Sequence, residues 1–248
     1  MIEAVLFDLG NTLMRDGSCD TRGVLEGVGR SLHDWLRQIG FGPPAYATYA
    51  RRLRRRLIRA YLWARLRRRE VPLMATTRIA HDRMGISLTE EHLLQMGSRC
   101  QPVLARFLTP DVEARTVLHG LRTAGLKLGV VSNTMVPGFA MDAHLKTEQL
   151  IDYLPVRIYS SEVGYKKPHR RIYHAALDKL RTRPDRTVFV GDCAVNDVFG
   201  PSRLGIKTIL FAPNGHSPRR RNRPDFVVRR LSEIPSVLQA AGGPCVSI

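Results

Sequence analysis

The chain has 248 residues, 44% of them hydrophobic and 25% charged, a balance that excludes wholesale disorder and fits one large folded unit or a core with an insertion. No apolar run nears the roughly 20 residues of a membrane-spanning helix, and the start MIEAVLFDLG has neither the basic head nor the cleavage site of a signal peptide, so a cytoplasmic protein with no membrane partner is expected. With 39 Lys+Arg against 22 Asp+Glu the formal charge is +17, which favours anionic partners such as phosphate esters, nucleic acid or acidic lipid without selecting one.

Arginine carries most of that excess, and residues 15–107 contain no lysine; an arginine-rich coding bias would give the same total. Cys19, Cys100, Cys193 and Cys245 are far apart, so neither a zinc knuckle nor a disulfide framework is indicated.

In chain order, residues 3–9 (EAVLFDL) are a short apolar run closed by Gly10-Asn11, which reads as a buried strand entering a turn. From about 15 to 107, Leu, Ile, Tyr and Trp recur every three or four residues. Breaks fall at 40–44 and at Val71-Pro72, and Thr89-Glu90-Glu91 reads as a helix start. After Pro110, apolar runs at 126–132, 156–160, 187–190, 208–211 and 226–228 alternate with amphipathic stretches near 111–124, 139–150, 169–181, 194–203 and 231–240. That alternation means parallel strands joined by crossover helices. The expected fold class is α/β: a Rossmann-like parallel sheet core flanked by helices (1–14 and 108–248), with an all-helical insertion (15–107) after the first strand.

Open parallel sheets bind ligands beyond the carboxyl ends of their strands. The residues ending the predicted strands are Asp8, then Ser132-Asn133, then Gly191-Asp192, with Lys166-Lys167-Pro168 in a loop between them. Two carboxylates, a hydroxyl and a lysine thus meet on one edge. No glycine-rich phosphate loop of the Walker or dinucleotide type is present, so nucleotide binding by those loops is not supported.

Phe7-Asp8-Leu9-Gly10-Asn11-Thr12-Leu13, Val130-Val131-Ser132-Asn133, Gly164-Tyr165-Lys166-Lys167-Pro168 and Gly191-Asp192-Cys193-Ala194-Val195-Asn196-Asp197 resemble, in order, the four motifs of the haloacid dehalogenase (HAD) hydrolase superfamily. Residues 224–228 and the helix after them resemble that family's last strand and helix, and the insertion stands where such enzymes carry a helical cap. The resemblance implies a Mg²⁺-dependent phosphatase acting on a small phosphorylated metabolite through an aspartyl-phosphate on Asp8. It further implies metal ligation by Asp8, the Gly10 carbonyl, Asp192 and Asp197, the last either as a ligand or as a partner of the metal's waters. Ser132, Asn133 and Gly10 would contact the substrate, and Lys167 would balance charge on the nucleophile and phosphoryl group. Lys167 is chosen over Lys166 because the family's lysine directly precedes the proline. These roles suit the chemistry: a carboxylate attacking a phosphate dianion needs its charge neutralised, and Mg²⁺ prefers hard oxygen ligands.

One position departs from the pattern. HAD phosphatases usually carry a second aspartate, the general acid and base, two residues after the nucleophile; here that residue is Gly10. General acid–base help is worth about 10²–10⁴-fold, so a different donor is needed, with Asp16, Asp20 and His33 the nearby candidates, or else a good leaving group. A metal-free dehalogenase is disfavoured because Asp192 and Asp197 are both kept. A phosphonatase is disfavoured because the insertion has no lysine for a Schiff base. The alternative from another class is a weakly active or non-catalytic HAD-fold scaffold that engages an anionic partner through an arginine-rich helix.

That helix lies within 50–70 (ARRLRRRLIRAYLWARLRRRE). Leu53, Leu57, Tyr61 and Ala64 share one face, which Ile58, Leu62 and Leu66 are expected to broaden, leaving the arginines solvated. Tyr61 and Trp63 are expected in the core rather than as stacking platforms for nucleic acid. A second basic cluster at 217–224 reads as a solvated loop, and the histidines, His81 included, show no metal spacing.

Overall fold

The computed structural model describes residues 1–16, 21–67, 69–99, 101, 105, 108–215 and 223–246. Asp20, Cys19, Cys100 and most of the 217–224 cluster lie outside the described residues, as does the side chain of Asp16.

Strand β1 (Ala4–Phe7) is four apolar residues, all buried, as a strand covered on both faces must be. It lies in the middle of a six-stranded sheet of order β5-β4-β1-β6-β7-β8. Its partners β4 (Lys127–Ser132), β5 (Val156–Tyr159), β6 (Thr187–Gly191), β7 (Lys207–Phe211) and β8 (Phe226–Val228) all run parallel to their neighbours. Register sets the site: Phe7 pairs with Val130 and with Val190, so Asp8, Ser132 and Asp192 leave three adjacent strands at one edge. Two apolar clusters flank the sheet, one containing Phe7, Val130 and Val190, the other Leu6, Val131, Phe189 and Tyr173. The parallel α/β core is the fold class the sequence indicates.

The insertion holds α1 (Thr21–Gln38), α2 (Tyr46–Leu66), α3 (Leu73–Asp82) and α4 (Glu90–Ser98). They pack on a third cluster of their own, built on Trp35, Leu36, Tyr49, Leu53 and Leu93. Thr89 caps α4 by accepting from the His92 amide, as its place in the sequence predicts. Inside this cluster the Tyr49 hydroxyl meets His81 Nε2 at 3.0 Å while His81 Nδ1 donates to the Thr77 carbonyl at 2.7 Å; burial pulls the His81 pKa down.

The structure departs from the sequence reading twice. The stretch 15–107 is not wholly helical at its edges: β2 (Met14–Asp16) pairs antiparallel with β3 (Leu108–Pro110), forming a short ribbon where the chain leaves and re-enters the core. The buried face of α2 is also narrower than expected. Tyr49, Leu53 and Ala64 are buried, but Ile58, Leu62 and Leu66 stand out in solvent, and so do Tyr61 and Trp63. At 21 residues α2 outruns the 10-residue α3 on which it packs, so the rest of its apolar residues find no cover. Arg67 lies over the Trp63 ring at 4.0 Å, shielding part of the indole.

Candidate active site

Asp8 is the first residue past β1, and its amide still donates to the Val190 carbonyl at 2.8 Å, fixing its backbone to the sheet edge. Its Oδ1 accepts from the Leu9 amide at 2.7 Å and meets the Lys167 ammonium at 2.6 Å. The chain then doubles back: Asn11 takes φ 55°, a left-handed conformation asparagine tolerates well, and Met14 N bonds to the Leu9 carbonyl at 2.8 Å.

Lys167 is the buried cation of the site, 2% exposed, held between Asp8 and Asp197 Oδ1, the latter at 2.7 Å. Burial alone would lower its pKa; the two carboxylates outweigh that and raise it. Asn133 anchors its loop, with Oδ1 accepting from Lys167 N at 2.7 Å and Nδ2 donating to the Lys167 carbonyl at 3.1 Å. The Asn133 amide, expected at the substrate, is therefore engaged in holding the lysine backbone. Ser132, buried, ends β4 next to β1.

After β6 the chain forms a π-helical turn (Ala194–Phe199), which folds Asp197 back under Asp192. Asp197 Oδ2 accepts from the Cys193 amide at 2.9 Å, so both its oxygens have donors. Gly191 makes this possible, because a Cβ there would overlap the Asp197 carboxylate. Ligand oxygens of Asp8, Asp192 and Asp197 lie within 4.8 Å of one another. Burial, then the charge of Asp8, pushes Asp192 up to about 6; burial, followed by Asp8, pushes Asp197 up to about 7 against the pull of Lys167. Three carboxylates face one ammonium, and that excess negative charge on hard oxygens fits a divalent cation.

Two features escaped sequence reasoning. Glu70, just past α2 and 2% exposed, ties the insertion to the core: its carboxylate accepts from Ser160 Oγ and from the Val71 amide at 2.8 Å, and pairs with Lys166 at 3.1 Å. Its amide donates to the Gly164 carbonyl at 3.1 Å. The loop carrying Lys167 is thus braced from the insertion, by an acid that no motif marks. The second feature is the open space at Gly10, where a Cβ would meet no atom within 4 Å. Of the donors considered to replace an acid there, His33 is turned into the insertion, its Nε2 3.0 Å from the Pro44 carbonyl and its ring against Tyr46 and Tyr49.

Comparison with known proteins places this geometry. A relative from Halopiger xanaduensis named ribulose-1,5-bisphosphate 5-phosphatase is 26% identical over 231 residues, covering 88% of this chain and 87% of that one. A glyceraldehyde 3-phosphate phosphatase from Pyrococcus furiosus is 27% identical over 133 residues, and that match spans 52% of this chain and only 55% of the relative. The crystal structure of a HAD phosphatase from Thermococcus onnurineus aligns over 99% of this chain and 100% of its own, with a TM-score of 0.61 at 27% identity. A 2-haloacid dehalogenase from Pseudomonas syringae shares the fold, with a TM-score of 0.66 at 22% identity over 97% of this chain and 99% of that one. The model of the haloacid dehalogenase-like hydrolases matches residues 2–205, a span that takes in every residue of the acidic cluster and its lysine, and the chain belongs to that family.

Proposed function

We propose that this protein is a Mg²⁺-dependent phosphatase of small phosphorylated molecules, with Asp8 as nucleophile. One observation carries the reading: a buried lysine bridges Asp8 and Asp197 while Asp192 completes an acidic cluster within 4.8 Å. Asp8 and Asp192, with the Gly10 carbonyl, would hold the cation, and Asp197, both of whose oxygens have donors, would act from behind by fixing Lys167 and orienting the metal's waters. When bound, Mg²⁺ supplies charge neutralisation for an anionic nucleophile meeting an anionic phosphate.

The chain's own residues do the rest. Lys167 and the Leu9 amide hold Asp8 Oδ1, leaving the carboxylate aimed along one direction. A carboxylate oxygen attacks phosphorus, the bond to the leaving oxygen breaks, and Ser132 donates to a phosphoryl oxygen. Water then attacks the acyl phosphate, releasing phosphate and restoring Asp8. The core 1–14 and 108–248 carries this chemistry, and the insertion 15–107 serves as a cap that excludes bulk water and selects the substrate. The names of the relatives, phosphatases of phosphorylated sugars and of pyrophosphate, support a small phosphorylated substrate. A dehalogenase reading fits less well, because a metal-free site would leave the charge of three carboxylates against a single lysine.

The test is a phosphate panel that includes aryl phosphates, assayed with Mg²⁺ and with EDTA. Turnover is expected to need the metal and to vanish in Asp8→Asn, and acid-quenched enzyme should yield a phosphorylated peptide containing Asp8. A folded protein with no turnover across the panel, or turnover that survives Asp8→Asn, would end this reading.

A further inference from the structure

Helix α2 keeps one side in the core of the insertion and turns the other outward. Ile58, Leu62 and Leu66 recur every fourth residue and so form one stripe; they are 51%, 58% and 83% exposed. Leu62 follows the buried Leu53 by nine residues, about two and a half turns, which sets the stripe on the side away from the core. Trp63, half exposed, adjoins it. Arg54, Arg55, Arg59 and Arg65, all exposed, stand three or four residues from a member of the stripe and therefore flank it. None of the four has an ion-pair partner among the described residues, and residues 46–69 hold ten arginines and no carboxylate.

An apolar stripe left in water between unpaired cations is suited by a surface that is anionic outside and apolar beneath. Arginine stems can run beside the stripe while their guanidinium groups meet headgroup phosphates and the leucines enter the acyl boundary. Other occupants fit less well. Nucleic acid would pair the arginines but leave the stripe in water, and one face of the Trp63 ring is already covered by Arg67 at 4.0 Å. A second copy would press the same unpaired arginines against these. An acidic protein would have to bring a groove shaped to the helix, whereas a lipid surface moulds to it. The sequence reading, finding no run long enough to span a bilayer, expects no membrane partner, and no helix among the described residues is long and apolar enough to cross one. A helix lying flat in the interface needs no such run.

We propose that the outer side of α2 docks on an acidic phospholipid surface, with Ile58, Leu62, Trp63 and Leu66 inserted and the flanking arginines on the headgroups. The docking is independent of the chemistry at Asp8, so its failure leaves the phosphatase reading untouched.

Co-sedimentation of the full chain with vesicles of phosphatidylglycerol and phosphatidylcholine in equal parts, and with vesicles of phosphatidylcholine alone, tests it. Binding to the acidic vesicles is expected to be at least about tenfold tighter, since each arginine at an anionic surface is worth roughly fivefold, and to weaken as salt rises. Ile58→Ser/Leu62→Ser/Leu66→Ser, substituted at exposed positions, should melt as the native protein does and bind the acidic vesicles at least about tenfold more weakly. The two tryptophans of the chain supply a second readout. Trp63 is exposed and Trp35 is buried, so a blue shift of emission on acidic vesicles reports Trp63 and should be absent in Trp63→Phe. No binding to acidic vesicles, equal binding to both kinds, or binding that the serine variant keeps in full overturns the proposal. So does an oligonucleotide that displaces the chain from the vesicles, or a dimer in free solution that the serine substitutions abolish. Should the serine variant melt lower than the native protein, an unshifted Trp63 emission on acidic vesicles overturns it alone.

Discussion

At the scale of single residues, Gly10 would govern which esters the proposed phosphatase site cleaves. It lies outside the positive-φ glycines and its Cβ direction is empty, so an aspartate would fit without strain. Gly10→Asp is expected to raise turnover of alkyl phosphates by about 10²-fold while changing aryl phosphates little, because only poor leaving groups need the proton. A plot of rate against leaving-group acidity, steep in the native enzyme and flatter in the variant, is the check. The acidic cluster makes a second prediction. Asp192 and Asp197 bind protons more tightly when folded, up to about 6 and about 7, than in the unfolded chain at roughly 4. Their contribution to stability is therefore present in acid and lost as pH rises through the folded values. Metal-free protein should lose stability from this cluster as pH rises from about 4 to about 7, and added Mg²⁺ should raise Tm more at the upper end, where no proton competes for the carboxylates. Melts with and without Mg²⁺ across that range would show it; a Mg²⁺ effect that is flat with pH would contradict it.

Among the elements, the joint between insertion and core is the most exposed to test. Removing the buried Glu70 carboxylate takes the acceptor from the Val71 amide and the ion-pair partner from Lys166, and leaves Ser160 Oγ only its contacts with Thr134. Glu70→Ala should cost about 1.5–3 kcal/mol, the range for hydrogen bonds to a charged group, and lower Tm by several degrees; a melt superimposing on the native one would show that the contact holds nothing. What was legible in the sequence follows the physics of each element. Strands β1, β4 and β6 are continuous apolar runs because both faces are covered, and Asp8, Lys167, Asp192 and Asp197 could be picked out because strand ends and ordered motifs mark them. The β2/β3 ribbon was illegible, since three residues a side (Met-Arg-Asp against Leu-Thr-Pro) carry no period and pair only because the chain returns there. Glu70 was illegible for a similar reason: its partner Ser160 is 90 residues away. The face of α2 was misjudged because periodicity reports which residues share a side and says nothing of how far the neighbouring helices reach.

Taken whole, the molecule is two packing problems solved on one chain. The helices of the insertion satisfy one another through contacts internal to 28–96, whereas the core draws on both flanks of that segment. Ala4 pairs with Lys127 on one side and with Thr187 on the other, so this inner strand of the sheet precedes its two neighbours by 123 and 183 residues. At ~5–20 residues per second, β1 would leave the ribosome roughly 6–25 s before β4, its first partner, and roughly 10–40 s before β6; during the first delay its four apolar residues have nothing to pair with while the helical segment behind them can already collapse. Chains stalled before residue 127 should therefore show protease resistance confined to about 21–98, with β1 cut freely. Resistance reaching β1 only once β4 and β6 have emerged would mark it as a strand made long before it is sheltered, and a natural point of engagement for a chaperone.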